Sequence, residues 1–166
     1  QFEVNVFAVH RLARLALPHL RATRGRLVVV GSCVGRFAYP MGGAYCSTKH
    51  ALEAWCDALR IEVAPFGVRV VLIEPGPIAT RFTDNARRSY SRSAAPEGSP
   101  YQALHERAEA LMTQRGVPPA SPDRVAHAIV TALTHPRPRA RRVVTNRARA
   151  LIALRRILPD AGWDYL

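Results

Sequence analysis

An α/β fold, a doubly wound parallel sheet with helices on its two faces, is predicted by three observations. Two short apolar runs, Leu-Val-Val-Val at 27–30 and Val-Val-Leu-Ile at 70–73, read as buried parallel strands. Each ends at a breaker, Gly31 in the first case and Pro75-Gly76-Pro77 in the second. Longer segments of helical periodicity alternate with them, in the order α-β-α-β-α-α-β-α. At 166 residues the chain suits one domain, and residues 1–166 are read as such.

The elements follow in order. Residues 2–22 read as a helix, with Val6, Leu12, Leu15, Ala16 and Leu20 at helical spacing and Pro18 near the end. A strand at 26–31 leads into a loop at 32–43 rich in Gly and Ser. A second helix spans 44–65, carrying Ala51, Leu52, Trp55, Leu59 and Val63. The strand at 67–74 follows. Residues 77–100 form a long polar segment that includes Ser93 and Pro96, of the kind used as a lid or mobile insertion. A helix is read from Tyr101 to Arg115. Ser121-Pro122-Asp123 supplies an N-cap, a first-turn proline and an early acid for another, reaching about Thr134. A last short strand is placed at 142–145 and an amphipathic basic helix at 147–158.

Composition narrows the class. The chain is 48% hydrophobic and 22% charged, which excludes a disordered tail, a collagen-like chain and a disulfide-dense mini-protein. No apolar run approaches the roughly 18 residues of a membrane span, and no signal peptide is visible. The net charge of +12 comes from 23 Arg, one Lys and 12 acids. Arg bias on this scale often reflects coding composition, so a solvated rim is favoured over a nucleic-acid surface. Cys33, Cys46 and Cys56 are odd in number and lack CxxC spacing, which argues against a disulfide framework and a zinc site. No metal site is expected, and a reducing, cytoplasmic setting is. The chain opens on Gln1 inside a helical pattern and is expected to be a piece of something longer.

The chemistry centres on Tyr45 and Lys49. Four residues apart near a helix start, they share a face. A phenol titrates near pH ~10, and a nearby ammonium favours its phenolate. Such a pair can serve as a general acid/base for hydroxyl or carbonyl chemistry. Lys49 is the sole Lys of the chain; with five Tyr present, a lone Lys would land there by chance roughly 3% of the time. Ser32 lies 13 residues before Tyr45, at the carboxyl end of the first strand, where open α/β sheets place ligands. Its hydroxyl can donate to a substrate oxygen as charge develops. After Pro75-Gly76, the backbone at Ile78 and Thr80 can meet a cofactor.

Together these residues resemble the short-chain dehydrogenase/reductase family. The matching pieces are Asn5-Val6-Phe7-Ala8, Gly31-Ser32-Cys33-Val34-Gly35, Tyr45-Cys46-Ser47-Thr48-Lys49 and Pro75-Gly76-Pro77-Ile78-Ala79-Thr80. They agree in order and spacing, densely over 2–82 and more loosely beyond. The resemblance implies a partial Rossmann-like fold, the C-terminal portion of a single-domain member. It implies NAD or NADP as cofactor and hydride transfer between the nicotinamide and a carbonyl or secondary alcohol carbon. Tyr45 would be the catalytic acid/base. Lys49 would lower its pKa and hold the nicotinamide ribose hydroxyls. Ser32 would polarise the substrate carbonyl, and Asn5 would support a water-linked proton relay. Tyr45, Lys49, Pro75, Gly76, Ile78 and Thr80 would contact the cofactor.

There are departures. Gly31-Ser32 stands where the family often has two Ser, and Ala8 where it often has Gly. The family's phosphate loop, Thr-Gly-x-x-x-Gly-x-Gly, does not occur in these 166 residues, so the chain alone is expected to be inactive. Residues 77–118 would cover the substrate and 119–166 form a C-terminal extension. The Arg-rich last helix is similar to members acting on steroid- or retinoid-like substrates, and it could also touch an anionic membrane surface. The helices at 2–22 and 44–65 are those by which the family forms homodimers and homotetramers; Trp55 and Phe66 could be interface or core. The alternative is a non-catalytic binding module using its basic surface for nucleic acid or membrane. Retention of Ser32, Tyr45 and Lys49 speaks against it.

Overall fold

The computed structural model describes residues 1–92, 98–113 and 118–165. They form two compact units, Gln1–Gly76 with Asp123–Leu166, and Pro77–Pro122. The predicted 77–118 segment falls in the second. Ser93 and Pro96, and Arg115 at the predicted end of a helix, lie outside the described residues.

The first unit is built on a parallel sheet of three strands in the order β1 (Arg26–Val30), β2 (Arg69–Glu74), β3 (Arg141–Val143). Arg26 pairs with Arg69 and Val30 with Ile73, while Leu72 pairs with Arg141. Side chains alternate across β2. Val70 and Leu72 pack on one face with Val29, and Val71 and Ile73 on the other.

A π-helical turn, Glu3–Phe7, leads into α1, Ala8–Thr23. The buried face of this turn and helix matches the predicted one at Val6 and Leu20 and differs from it at Leu12 and Leu15. Val9, Leu17 and Leu20 pack on the sheet and Ala13 is buried, whereas Leu12 and Leu15 stay largely exposed. Spacings of three, four and seven residues join Val6, Val9, Ala13, Leu17 and Leu20 into one stripe. Helix α2, Gly43–Val63, lies on the same sheet face through Leu52, Cys56, Leu59 and Val63. It passes into a 3-10 turn, Ala64–Phe66, closed by Gly67 at φ 74°, a left-handed conformation suited to glycine. Trp55 packs against this core and stacks on His10 at 4.4 Å, while Phe66 is half exposed beneath the Arg21 guanidinium.

Leu52 is 1% exposed at the junction of α2 and the sheet. Leu52→Ala is expected to cost about 2–5 kcal/mol in a urea titration. A smaller loss would mean that the neighbouring side chains collapse into the space.

Helix α5, Pro122–Thr134, covers the opposite face with Ala128 and Ala132. Helix α6, Asn146–Ile157, is capped by Thr145, whose hydroxyl accepts from the Ala148 amide at 3.2 Å. A short α7, Asp160–Asp164, was not predicted from the sequence; its Trp163 packs on Phe37 at 5.4 Å.

The second unit holds α3, Arg81–Arg92, and α4, Gln102–Thr113. The sequence reads α3 only as polar segment, because Phe82, Ala86 and Tyr90 are its few apolar residues among Arg, Ser, Thr, Asp and Asn and make a short, sparse period. Its start is nonetheless encoded. The Thr80 hydroxyl accepts from the Phe82 amide at 3.2 Å, and Asp84 sits in the first turn. Among the described helices none is long and apolar enough to cross a membrane.

Candidate active site

Three segments meet at the carboxyl end of β1 and β2. The first is the turn after β1. Ser32 is extended, and its hydroxyl accepts from the Val34 amide at 3.4 Å, opening a 3-10 turn at Cys33–Gly35. Gly31 allows the sheet to close here: a Cβ on it would stand 3.0 Å from Leu72 Cδ1. The Cys33 amide donates to the Pro75 carbonyl at 2.9 Å, which ties the turn to the end of β2.

The second segment is the start of α2. Tyr45 and Lys49 share its face, with Lys49 Nζ 5.7 Å from the Tyr45 ring centroid. The Ser32 hydroxyl hydrogen-bonds the Tyr45 side chain. Lys49 Nζ donates to the Val30 carbonyl at 3.5 Å and has no carboxylate partner among the described residues. Burial lowers its pKa. An ammonium with three donors and one distant acceptor has capacity for a diol such as a ribose, so the donor set fits the nicotinamide end of a dinucleotide.

The third is the π-helical turn that carries Asn5. Its Nδ2 donates to Thr48 Oγ1 at 3.2 Å, and that hydroxyl donates to the Tyr45 carbonyl at 2.7 Å. Asn5 is thus joined to the Tyr45 helix through Thr48, which is fully buried. Thr48 escaped the sequence reading. Its signal was a hydroxyl one residue before Lys49, on the face toward the preceding helix.

The electrostatics depart from one expectation. Burial pushes the Tyr45 phenol up, and the lowering contribution comes from the Ser32 hydrogen bond, not from Lys49. The reason is placement. The ammonium is itself partly desolvated, lies over the ring and turns to the Val30 carbonyl. Burial likewise raises Cys33 and Cys46, and raises Cys56 to about 12, so all three thiols stay protonated.

Of the remaining residues singled out by sequence, Pro75 is held by Cys33, and Gly76 lies against Thr145 so closely that a Cβ would stand 2.3 Å from its Oγ1. Ile78 and Thr80 belong to the second unit. There Ile78 bridges to Ala120, and the Thr80 amide donates to the Ile78 carbonyl at 2.9 Å.

Known proteins resemble the chain. The family profile described as short chain dehydrogenase matches residues 1–91. The uncharacterized oxidoreductase YbbO of Escherichia coli (strain K12) is 41% identical over 167 residues, covering 100% of this chain and 57% of the relative. The NADPH-dependent 3-dehydrocapnine reductase of Ornithobacterium rhinotracheale is 35% identical over 179 residues, covering 100% and 59%. The human 17-beta-hydroxysteroid dehydrogenase type 1 is 32% identical over 168 residues, covering 99% and 50%. A short-chain dehydrogenase from Streptomyces avermitilis superposes with a TM-score of 0.71 at 29% identity, over 92% of this chain and 53% of that one. The chain therefore spans between half and three-fifths of the length of these relatives.

Proposed function

Because the chain belongs to the short chain dehydrogenase family, we propose that it carries the catalytic edge of an NAD(P)-dependent oxidoreductase that interconverts a secondary alcohol and a ketone or aldehyde. The observation that carries this reading is the convergence of Ser32, Tyr45 and Lys49 at one end of the sheet, with Ser32 hydrogen-bonded to Tyr45. When bound, the dinucleotide supplies or accepts the hydride. The chain's own residues do the rest. Tyr45 delivers its proton to the carbonyl oxygen in reduction and takes it back in oxidation. Ser32 donates to the same oxygen as negative charge develops there. Lys49 holds the ribose hydroxyls with its spare donors. Asn5, through Thr48, steadies the first turns of α2.

The cofactor assignment draws on Lys49 and on the NADPH dependence in the name of one relative. Either NAD or NADP fits. A lipophilic, steroid-like ketone is the proposed substrate class, supported by likeness to a hydroxysteroid dehydrogenase. The 166 residues by themselves are proposed to be inactive, since the Thr-Gly-x-x-x-Gly-x-Gly turn whose amides cradle a pyrophosphate does not occur in them.

The test is reduction of a panel of alkyl and cyclic ketones by the intact enzyme, followed by the loss of NADPH or NADH absorbance. Ser32→Ala is expected to lower kcat by roughly 10²–10³-fold, with a smaller change in KM. Unchanged turnover in this variant would remove Ser32 from the mechanism.

A further inference from the structure

Beneath the Ser32 turn lies a charged cluster that the reaction just described does not use. Glu74 ends β2 and is 1% exposed. Glu53, one helical turn beyond Lys49 on α2, is 8% exposed. Carboxylates at such depth are costly unless paired and hydrogen-bonded. Glu53 is well supplied: Arg141 Nε donates to its Oε2 at 2.8 Å, and Arg36 Nη1 lies 3.5 Å from the same oxygen. Glu74 is not. Arg36 Nη1 stands 3.8 Å from its Oε1, beyond hydrogen-bond reach.

Glu53 Oε1 and Glu74 Oε1 are both shut off from solvent with no hydrogen-bond partner. Two ionised carboxylates cannot satisfy each other, because each only accepts. These two side chains are within hydrogen-bonding reach of one another. One proton between them satisfies both orphaned oxygens.

The cluster touches the Ser32 turn, the helix of Tyr45 and Lys49, and the end of β2. Arg36 directly follows the turn opened by Ser32. Glu53 shares α2 with Tyr45 and Lys49. Glu74 precedes Pro75, whose carbonyl holds the Cys33 amide. Gly35 fits so tightly on α2 that a Cβ would stand 2.9 Å from the Lys49 carbonyl and 3.0 Å from Glu53 Cγ.

We propose that Arg36, Glu53 and Glu74 are positioning residues that hold the Ser32 turn against the helix bearing Tyr45 and Lys49, and that they do so through one proton shared by two buried carboxyls. This inference rests on the oxidoreductase reading of the site. The groups facing Glu74 are Glu53 on α2, Arg36 and Cys33 on the turn, and Arg141 on β3. Asp57, further along α2, is held by Arg141 and Arg60. Burial, then Glu53, pushes Glu74 up to about 7 against the pull of Arg36 and Arg141. Above that pH, two like charges face each other in a dry site, and the turn and the helix are forced apart. A displacement on the order of 1 Å costs about 10²-fold in rate.

The experiment measures ketone reduction by the intact enzyme from pH 6 to 9, with the thermal midpoint followed from pH 5 to 9. Wild-type kcat is expected to fall by about 10²-fold as pH rises through 7, with little change in the dinucleotide KM. Glu74→Gln, which cannot ionise, should abolish that limb. Glu74 has a raised folded pKa, so the folded state holds its proton more tightly than the unfolded chain between 4.5 and about 7. The wild-type midpoint should therefore decline across that window, and the Gln variant's should not. A flat midpoint with the activity limb intact overturns the positioning role. If Glu74→Gln does not fold, carbon-13 carboxyl NMR of the wild type decides. A glutamate titrating near neutrality supports the shared proton, and glutamates all near pH ~4.3 overturn it. Absence of ketone turnover at every pH defeats the oxidoreductase reading and the positioning role together, whereas a normal turnover with an unchanged limb in the Gln variant defeats the positioning role alone.

Discussion

Tyr45→Phe is expected to lower ketone reduction by about 10²–10⁴-fold while the fold and most of the dinucleotide affinity persist. The substitution removes one hydroxyl and keeps the ring, so the Lys49 ammonium retains its face 5.7 Å away. What is lost is the proton donor hydrogen-bonded to Ser32. The pH dependence has a definite sign. Burial raises the phenol above its ordinary value of 10.0, so Tyr45 is protonated throughout the neutral range. It is then a ready acid for reduction, and its contribution to that direction stays flat from pH 6 to 9. Oxidation needs the phenolate, which is scarce at pH 7 and grows tenfold per pH unit below the pKa. Alcohol oxidation should therefore climb steeply with pH, and Tyr45→Phe should erase the climb. Stopped-flow rates of the wild type and the Phe variant in both directions supply the check. Retention of wild-type reduction by the Phe variant would falsify the assignment of Tyr45 as the acid.

Gly76→Ala is expected to be strongly destabilising. The new Cβ would meet Thr145 Oγ1 at 2.3 Å and Ala148 Cβ at 3.2 Å. Thr145 is buried and caps α6, so it cannot step aside without surrendering its bond to the Ala148 amide. Loss of a cap costs about 1 kcal/mol, and overpacking adds about 1–3 kcal/mol. Urea unfolding should show a total of roughly 2–4 kcal/mol. The double variant Gly76→Ala/Thr145→Ala separates the two causes. It relieves the clash but keeps the missing cap, so the two changes should be strongly non-additive. Additive losses would mean that the backbone after β2 shifts away from α6 instead. Gly76 is thus required for packing whether or not it also touches a cofactor.

Much of this was legible in the sequence. The two apolar runs that become β1 and β2 end where their breakers stand, because Gly and Pro act locally through the backbone. The Tyr45–Lys49 spacing could be read because four residues make about one helical turn. Thr48 and the Glu53–Glu74 pair could not be read. Their partners lie 43 residues away in the first case and on a separate strand in the second. Helix α1 shows the same limit. Leu12 and Leu15 are as apolar as Leu17, and only contact with the sheet shows which of them is covered.

The sequence by itself determined the alternation of strands and helices, the ends of β1 and β2, and the Ser, Tyr and Lys of the candidate site at their spacing. These depend on local backbone preference and on period, which neighbouring residues carry. Tertiary structure alone decided the direction in which the Tyr45 pKa moves, the link from Asn5 through Thr48, the need for glycine at 35 and 76, and the meeting of two buried glutamates. Each of these depends on distance and desolvation between segments far apart in the chain, and those quantities exist only once the sheet has brought the segments together.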